Sequence, residues 1–238
     1  MLMKPSDYKD LRFNNLTSKK FRHLFLLLFW PLYGLAFSGV ELLFPNHSSY
    51  TIIHHPLDDM IPFCEWFAIP YVFWYVCLAF MVFYPLLYDL PLFKKYMWFI
   101  ILGYSISFVT YLVFPNGQLL RPDLEALGRE NLMTELMGSL YATDTYTNVC
   151  PSMHVIGALA VMFASWHSKH FSSWYWNIIS TVNALIICIS TVFVKQHSIV
   201  DVWAGAAVSI VLYVLIFHVK WNKIFTRKDG TLKAETTN

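Results

Sequence analysis

Six apolar stretches recur from about residue 21 to residue 219, with no long polar insert between them. They run roughly Leu24–Phe44, Phe63–Tyr88, Tyr96–Phe114, Met153–His167, Trp174–Val194 and Ile199–Val219, the fourth being the shortest. A helix rises about 1.5 Å per residue and a bilayer's hydrocarbon core is about 30 Å thick, so one crossing takes about 20 apolar residues. The spacing predicts an all-α, polytopic membrane protein, a six-helix bundle forming one domain over 23–219 with polar segments 1–22 and 220–238 at its ends. Composition points the same way: 13% of residues are charged, against about 25% in soluble domains, which excludes an ordinary water-soluble fold. Because the first run follows about 20 mostly polar residues rather than a short basic leader, it is expected to stay as a span and not to be cleaved.

The formal charge of +2 says little by itself, and no nucleic-acid partner is expected; the placement of the cations is more informative. Lys4, Lys9, Arg12, Lys19, Lys20 and Arg22 precede the first span, and Lys220, Lys223, Arg227, Lys228 and Lys233 follow the last. Lys94, Lys95 and Lys169 fall in connections on the same side, which leaves only Arg121, Arg129 and Lys195 opposite. Cytoplasmic flanks carry the excess of Lys and Arg, so both termini are expected in the cytoplasm, with three loops outside the cell membrane.

The four cysteines lack metal-type spacing. Cys64, Cys77 and Cys188 fall in or beside spans and Cys150 stands near the fourth, so they read mostly as apolar fillers. Cys64 and Cys150 both reach the outer face, which leaves a disulfide between them open. His54 and His55 are adjacent rather than helically spaced, and read as loop residues. No metal and no cofactor is expected.

Polar groups at a membrane boundary are costly unless they pair or act, and here they gather in the outer loops. In Cys150-Pro151-Ser152-Met153-His154, Pro and Ser mark a helix start, whose free N–H groups and positive dipole end suit an anion. His154 falls in that first turn, within reach of a proton exchange with the anion; a cap beside an interfacial histidine is the bland alternative. His197 and Asp201 stand four apart on one helix face, so the carboxylate can hold the ring and fix its tautomer. The alternative there is a boundary ion pair that stabilises the sixth helix. Arg121-Pro122 lies in the longest outer loop, about 35 residues, and a guanidinium matches phosphate oxygens in bidentate fashion.

Together Arg121-Pro122, Pro151-Ser152-Met153-His154 and His197-x-x-x-Asp201 resemble, in order and topology, the three signature blocks of the type 2 phosphatidic acid phosphatase superfamily. That family shows Lys-x6-Arg-Pro, Pro-Ser-Gly-His and Ser-Arg-x5-His-x3-Asp, and the resemblance spans roughly residues 22–219. It implies a bundle of the type 2 phosphatidic acid phosphatase/haloperoxidase type. The departures are Phe114 at the Lys position, Met153 at the Gly position and Ser190-Thr191 in place of Ser-Arg. Two phosphate-binding cations are thus missing, and Lys195, two residues before His197, is a candidate replacement or an interfacial anchor. Loss of the third-block Arg is similar to the branch that includes inositol phosphorylceramide and sphingomyelin synthases. Asp58-Asp59-x-Ile61-Pro62-Phe63 and Asn148 also look like features of bacterial members near it, with a solvated loop as the alternative for the former.

The resemblance implies catalytic roles for His197 as nucleophile, His154 as general acid and then base, and Asp201 as the group that orients His197. It implies that Arg121, Ser152, the fourth-helix amides and, as a replacement cation, Lys195 hold the phosphate. The expected partners are membrane lipids and a lipid phosphate or prenyl pyrophosphate substrate, hydrolysed with water or transferred to an alcohol. A transporter is disfavoured because the spans hold hardly any mid-membrane charge and lack matched broken helices. An inactive lipid-binding relative is disfavoured by the joint presence of His154, His197 and Asp201.

Overall fold

The computed structural model describes residues 8–43 and 50–219. The tail over 220–238 and Lys4, which carry part of the expected cytoplasmic charge, lie outside the described residues. The chain enters through a 3-10 helix, Arg22–Leu28, that runs into α1, Phe29–Leu43. After it come β1 (Thr51–Ile52), α2 (Pro56–Met60), α3 (Ala68–Tyr88) and α4 (Leu90–Val113). Next are β2 (Asn116–Gly117), α5 (Leu132–Thr143), α6 (Met153–Trp166), α7 (Trp174–Phe193) and α8 (Ile199–Tyr213), the last continuing as a π turn over Val214–His218.

Among the described residues, five helices are long and apolar enough to cross a membrane: Arg22–Val40, Glu65–Tyr88, Leu90–Val113, Trp174–Phe193 and Ile199–His218. The fourth expected span, α6, has 14 residues, about 21 Å of helix and short of the hydrocarbon thickness. Its position accounts for its apolar composition. It packs against α3, α4, α7 and α8, and buries all but Met153, Leu159 and Trp166. A helix wrapped by others needs small residues where they come close. Gly157 is one: a Cβ there would lie 2.7 Å from Trp74 Nε1 and 2.9 Å from the Tyr104 hydroxyl. Outward faces of α3 and α7 expose Phe73, Val76, Phe80, Ile178, Val182 and Leu185, as expected of helices solvated by lipid rather than water.

The 24-residue α4 begins six residues earlier than its apolar run, because Asp89 caps it by accepting from the Leu92 amide. The long loop after α4 is also not structureless. α5 forms within it, started by Asn131, whose Oδ1 accepts from the Met133 and Thr134 amides. Arg129 and Asn131 both donate to buried Glu65 at the head of α3, which ties the loop to the bundle.

α3, α6 and α8 begin, and α4 and α7 end, at one end of the bundle. There the connecting loops are stitched by backbone. β1 and β2 pair in parallel, Thr51 with Asn116 and Ile52 with Gly117, and Gly117 bridges to Thr147. Asn116 extends this seam: its Oδ1 accepts from the Val149 and Cys150 amides and its Nδ2 donates to the Cys150 carbonyl.

Candidate active site

The three sequence blocks converge at that end. Ser152 caps α6, its Oγ accepting from the Val155 amide, and its own N–H donates to the Asp201 carbonyl at 3.1 Å. Gly205 permits this approach of α8 to α6, since a Cβ there would lie 2.9 Å from the Ser152 carbonyl oxygen. The start of α6 is thus fixed to the first turn of α8.

His154 sits one residue inside α6, its ring between Tyr71 and Trp74 with centroids 4.3 and 4.2 Å away. These two aromatics hold the ring plane, and its buried Nε2 has no hydrogen-bond partner. His197 precedes α8, and its Nδ1–H donates to Asp201 Oδ2 at 3.2 Å. A carboxylate only accepts, so the proton belongs on Nδ1 and the lone pair on Nε2. The same oxygen accepts from the Ser198 amide at 2.9 Å, which fixes the carboxylate in turn. The His154 and His197 rings lie 5.6 Å apart, centre to centre. Both face one cleft, together with Tyr111, Asp144, Thr145, Thr147, Asn148, Val149 and Gln196, and with Phe37 and Met153 as an apolar wall. Its cavity volume is about 30 Å³, the space of a water or two.

Arg121 stands behind this lining rather than in it. Its guanidinium donates to the carbonyls of Tyr141, Asp144 and Thr145 and to Gln196 Oε1. It also lies over the Tyr141 ring, 4.6 Å from the centroid. Burial lowers its pKa while the Asp144 charge opposes the shift; a guanidinium remains charged regardless.

Lys195 is placed elsewhere. It adopts φ +54° in the tight turn after α7, a left-handed conformation that costs a side-chain-bearing residue about 1 kcal/mol. Its ammonium donates to the carbonyls of Asp58 and Ile61 and is not among the groups lining the cleft. Burial lowers its pKa, and the Asp58 and Asp59 charges partly restore it. Its ammonium is thus held away from the cleft, in the position of an anchor for the turn. Ser152 is also behind the lining, fully buried as a helix cap.

Asp58 is a structural clamp rather than a solvated loop residue. It is 2% exposed, and its carboxylate accepts from the Ser198 hydroxyl, the Ile199 amide and the His55 amide. Its neighbour Asp59 is exposed and pairs with His54. Sequence reasoning gave no role to Gln118, Gln196, Tyr71, Trp74 or Asp144. Gln118 donates to the Lys195 carbonyl at 3.0 Å and links the Arg121 loop to the turn that carries His197. Tyr71 donates to Asp144 Oδ2 at 3.2 Å.

All four cysteines are free thiols, so the open disulfide between Cys64 and Cys150 does not form. Cys77 and Cys188 are core residues. Cys150 lies beside Asp201, and burial first, then the Asp201 charge and a hydrogen bond to it, push its thiol up to about 12. Thiolate is the reactive form, so Cys150 alkylation at pH 8 is expected to run about a thousandfold slower than that of an ordinary thiol. In a variant whose other cysteines are replaced, Asp201→Asn should accelerate maleimide labelling. A Cys150 rate equal to that of a free thiol in solution would contradict the placement of a charged Asp201 beside it. Among the described residues, no three His, Cys, Asp or Glu side chains are arranged to hold a metal ion.

The bundle and its site define a polytopic α-helical membrane protein with a histidine pair set between two helix starts. The chain belongs to the PAP2 superfamily, whose family model matches residues 95–225, from α4 past the end of α8. That membership makes it a protein of the phosphatase or phosphotransferase type. No curated protein and no solved structure gave a significant match.

Proposed function

We propose that this protein is a membrane-embedded phosphatase that acts on a lipid phosphate or prenyl pyrophosphate through a phosphohistidine on His197. The observation that carries the reading is the histidine pair, 5.6 Å apart across one cleft, with one ring held by a buried carboxylate. In the first step His197 Nε2 attacks phosphorus, forming an N–P bond as the bond to the leaving oxygen breaks. His154, protonated in the substrate complex, gives its proton to that oxygen. Asp201 holds the Nδ1 proton and balances the charge that develops on the ring. In the second step His154 takes a proton from the acceptor hydroxyl, whose oxygen displaces the histidine.

Arg121 contributes a positive field from just behind the cleft, and the capped start of α6 adds its dipole end. Lys195 is read as an anchor of the α7–α8 turn. The cleft as it stands is smaller than a phosphoryl group, so Phe37 and Met153 give way on entry. The cation bias puts the cleft on the extracytoplasmic face, with both termini inside.

A lipid substrate is favoured by an apolar groove of about 440 Å³ between α3 and the junction of the 3-10 helix with α1, lined by Leu27, Trp30, Tyr75, Leu78, Val82 and Phe83. Tyr75 at its upper end meets the edge of the His154 ring, 6.4 Å between centroids, so a hydrocarbon chain in the groove leads to the site. Transfer to an alcohol is the second reading, favoured by Thr191 at the family's Arg position, as in the inositol phosphorylceramide synthase-like branch. The test is a panel of long-chain lipid phosphates and pyrophosphates in detergent, with p-nitrophenyl phosphate as the chainless control. Phosphate release from the long-chain members well above the control is expected. Appearance of a phosphodiester when an alcohol is added, with little free phosphate, would replace hydrolysis by transfer. Absence of turnover above a protein-free mixture across the panel would overturn both.

A further inference from the structure

The cleft presents a third group, at a position that the three blocks leave unspecified. Gln196 is 2% exposed, stands next to His197 in the turn before α8, and lines the cleft with it. Its Oε1 accepts from Arg121 Nη2, which has no other role than donor. That settles which end of the amide is which, because a guanidinium cannot accept. The NH2 end is therefore the one not facing Arg121, and Nε2 is buried without a hydrogen-bond partner. Two further buried nitrogens nearby are also unpartnered, Arg121 Nε and His154 Nε2. A buried amide donor left in this state is rare, and beside the unpartnered His154 Nε2 of the same cleft it points to an oxygen-bearing ligand that completes it.

The backbone explains why Gln196 holds this position. The Gln196 and His197 amides both donate to the Thr191 carbonyl, at 3.0 and 3.1 Å. Thr191 stands where the family carries its third-block Arg, but it is fully buried, and its hydroxyl turns back to the Cys188 carbonyl. No side chain from that position reaches the cleft. Gln118 fastens the turn from the other side by donating to the Lys195 carbonyl. The turn is thus closed on both sides, with the Gln196 amide aligned beside the imidazole.

We infer that Gln196 is a phosphoryl-binding residue of this site: its Nε2 donates to a non-bridging phosphate oxygen while its Oε1 keeps Arg121 aimed at the same anion. This rests on the phosphoryl-transfer reading above and adds to it a neutral donor in place of a missing cation. A donor of this kind acts where charge gathers on the equatorial oxygens, so it strengthens in the transition state. Asp144, which also faces the cleft, makes a neutral amide a better neighbour for Arg121 than a second carboxylate would be.

Gln196→Glu separates the two functions. Its carboxylate still accepts from Arg121 but offers no donor and repels an anion. With a lipid phosphate identified in the panel above, Gln196→Glu is expected to lose about 100- to 1000-fold in kcat/KM, the effect of deleting one oxyanion donor. Orthovanadate, used as a phosphate mimic, should raise the melting temperature of the wild type in detergent and leave that of Gln196→Glu unmoved. Gln196→Met is the second variant, since Arg121 keeps its three backbone carbonyls there and only the amide is lost; it should also lose the vanadate response. Near-wild-type turnover or an unchanged vanadate shift in either variant overturns the assignment, and so does a wild type that binds no vanadate. Should the wild type bind vanadate through Gln196 yet turn over no lipid phosphate, the functional reading fails while the anion-binding role stands.

Discussion

Removing the His197 imidazole should lower turnover by on the order of 10⁴-fold or more, since the nucleophile, once lost, has no substitute in the cleft. His197→Ala deletes the ring but leaves the Asp201 carboxylate on the Ser198 amide, so the start of α8 keeps its cap. The protein is therefore expected to fold with a stability loss of only about 1–3 kcal/mol, the cost of one lost buried hydrogen bond to a charged group. Asp201→Asn is the informative companion. An amide there can donate to His197, favouring the wrong tautomer with the lone pair on Nδ1, and a loss of about 10²- to 10⁴-fold is expected. Both are measured as phosphate release from a lipid phosphate, alongside quenching with alkaline detergent and labelled substrate to look for phosphate on the protein. An acid-labile, alkali-stable label on the wild type that vanishes in His197→Ala is the expected pattern. Equal turnover by wild type and His197→Ala would remove the mechanism altogether.

The long spans were readable from apolar run length alone, because a bilayer demands continuous apolar sequence and chain position hardly matters. α6 was not readable as a short central helix. Its run is apolar for a different reason, namely that α3, α4, α7 and α8 surround it, and composition does not distinguish a lipid neighbour from a protein one. α5 was hidden in the long loop because its start signal, Asn131 with Thr134, is local and its apolar stripe covers only about three turns.

At the candidate site the four-residue interval placed His197 and Asp201 on one helix face, while His154 was singled out by its place at a helix start together with the family resemblance. The sequence could not specify where Arg121 and Lys195 point. Each cation is held by backbone carbonyls far along the chain: Arg121 by the segment after α5, Lys195 by the segment around α2. A carbonyl belongs to every residue type, so such a partner leaves no trace in composition. Gln196 was left without a role for a related reason, as a neutral amide between Lys195 and His197 carries no charge to weigh. Its significance arises only when one end is seen to be taken by Arg121 and the other to be buried alone.

Asp58 yields the largest expected effect on stability. Its carboxylate is the shared acceptor for the Ser198 hydroxyl at 2.6 Å, the Ile199 amide at 2.8 Å and the His55 amide at 2.8 Å. It thus closes the start of α8 from outside while Asp201 closes it from within, and it sits where the helix dipole favours an anion. Asp58→Ala leaves the buried Ser198 hydroxyl and the half-buried Ile199 and His55 amides without this acceptor, and a cost of about 3 kcal/mol is expected, as for removal of one partner from a buried charged network. Asp58→Asn keeps one accepting oxygen and should fall between Asp58→Ala and the wild type. The exposed Asp59 makes only a surface pair with His54, so Asp59→Ala should melt like the wild type. The measurement is thermal unfolding of the three variants in one detergent, followed by turnover below each melting point. Because Asp58 holds the residue next to His197, Asp58→Ala is expected to lose activity even where it remains folded, whereas Asp59→Ala keeps it. Equal melting of Asp58→Ala and Asp59→Ala would mean that the outer clamp contributes nothing, leaving Asp201 alone to hold the turn on which His197 depends.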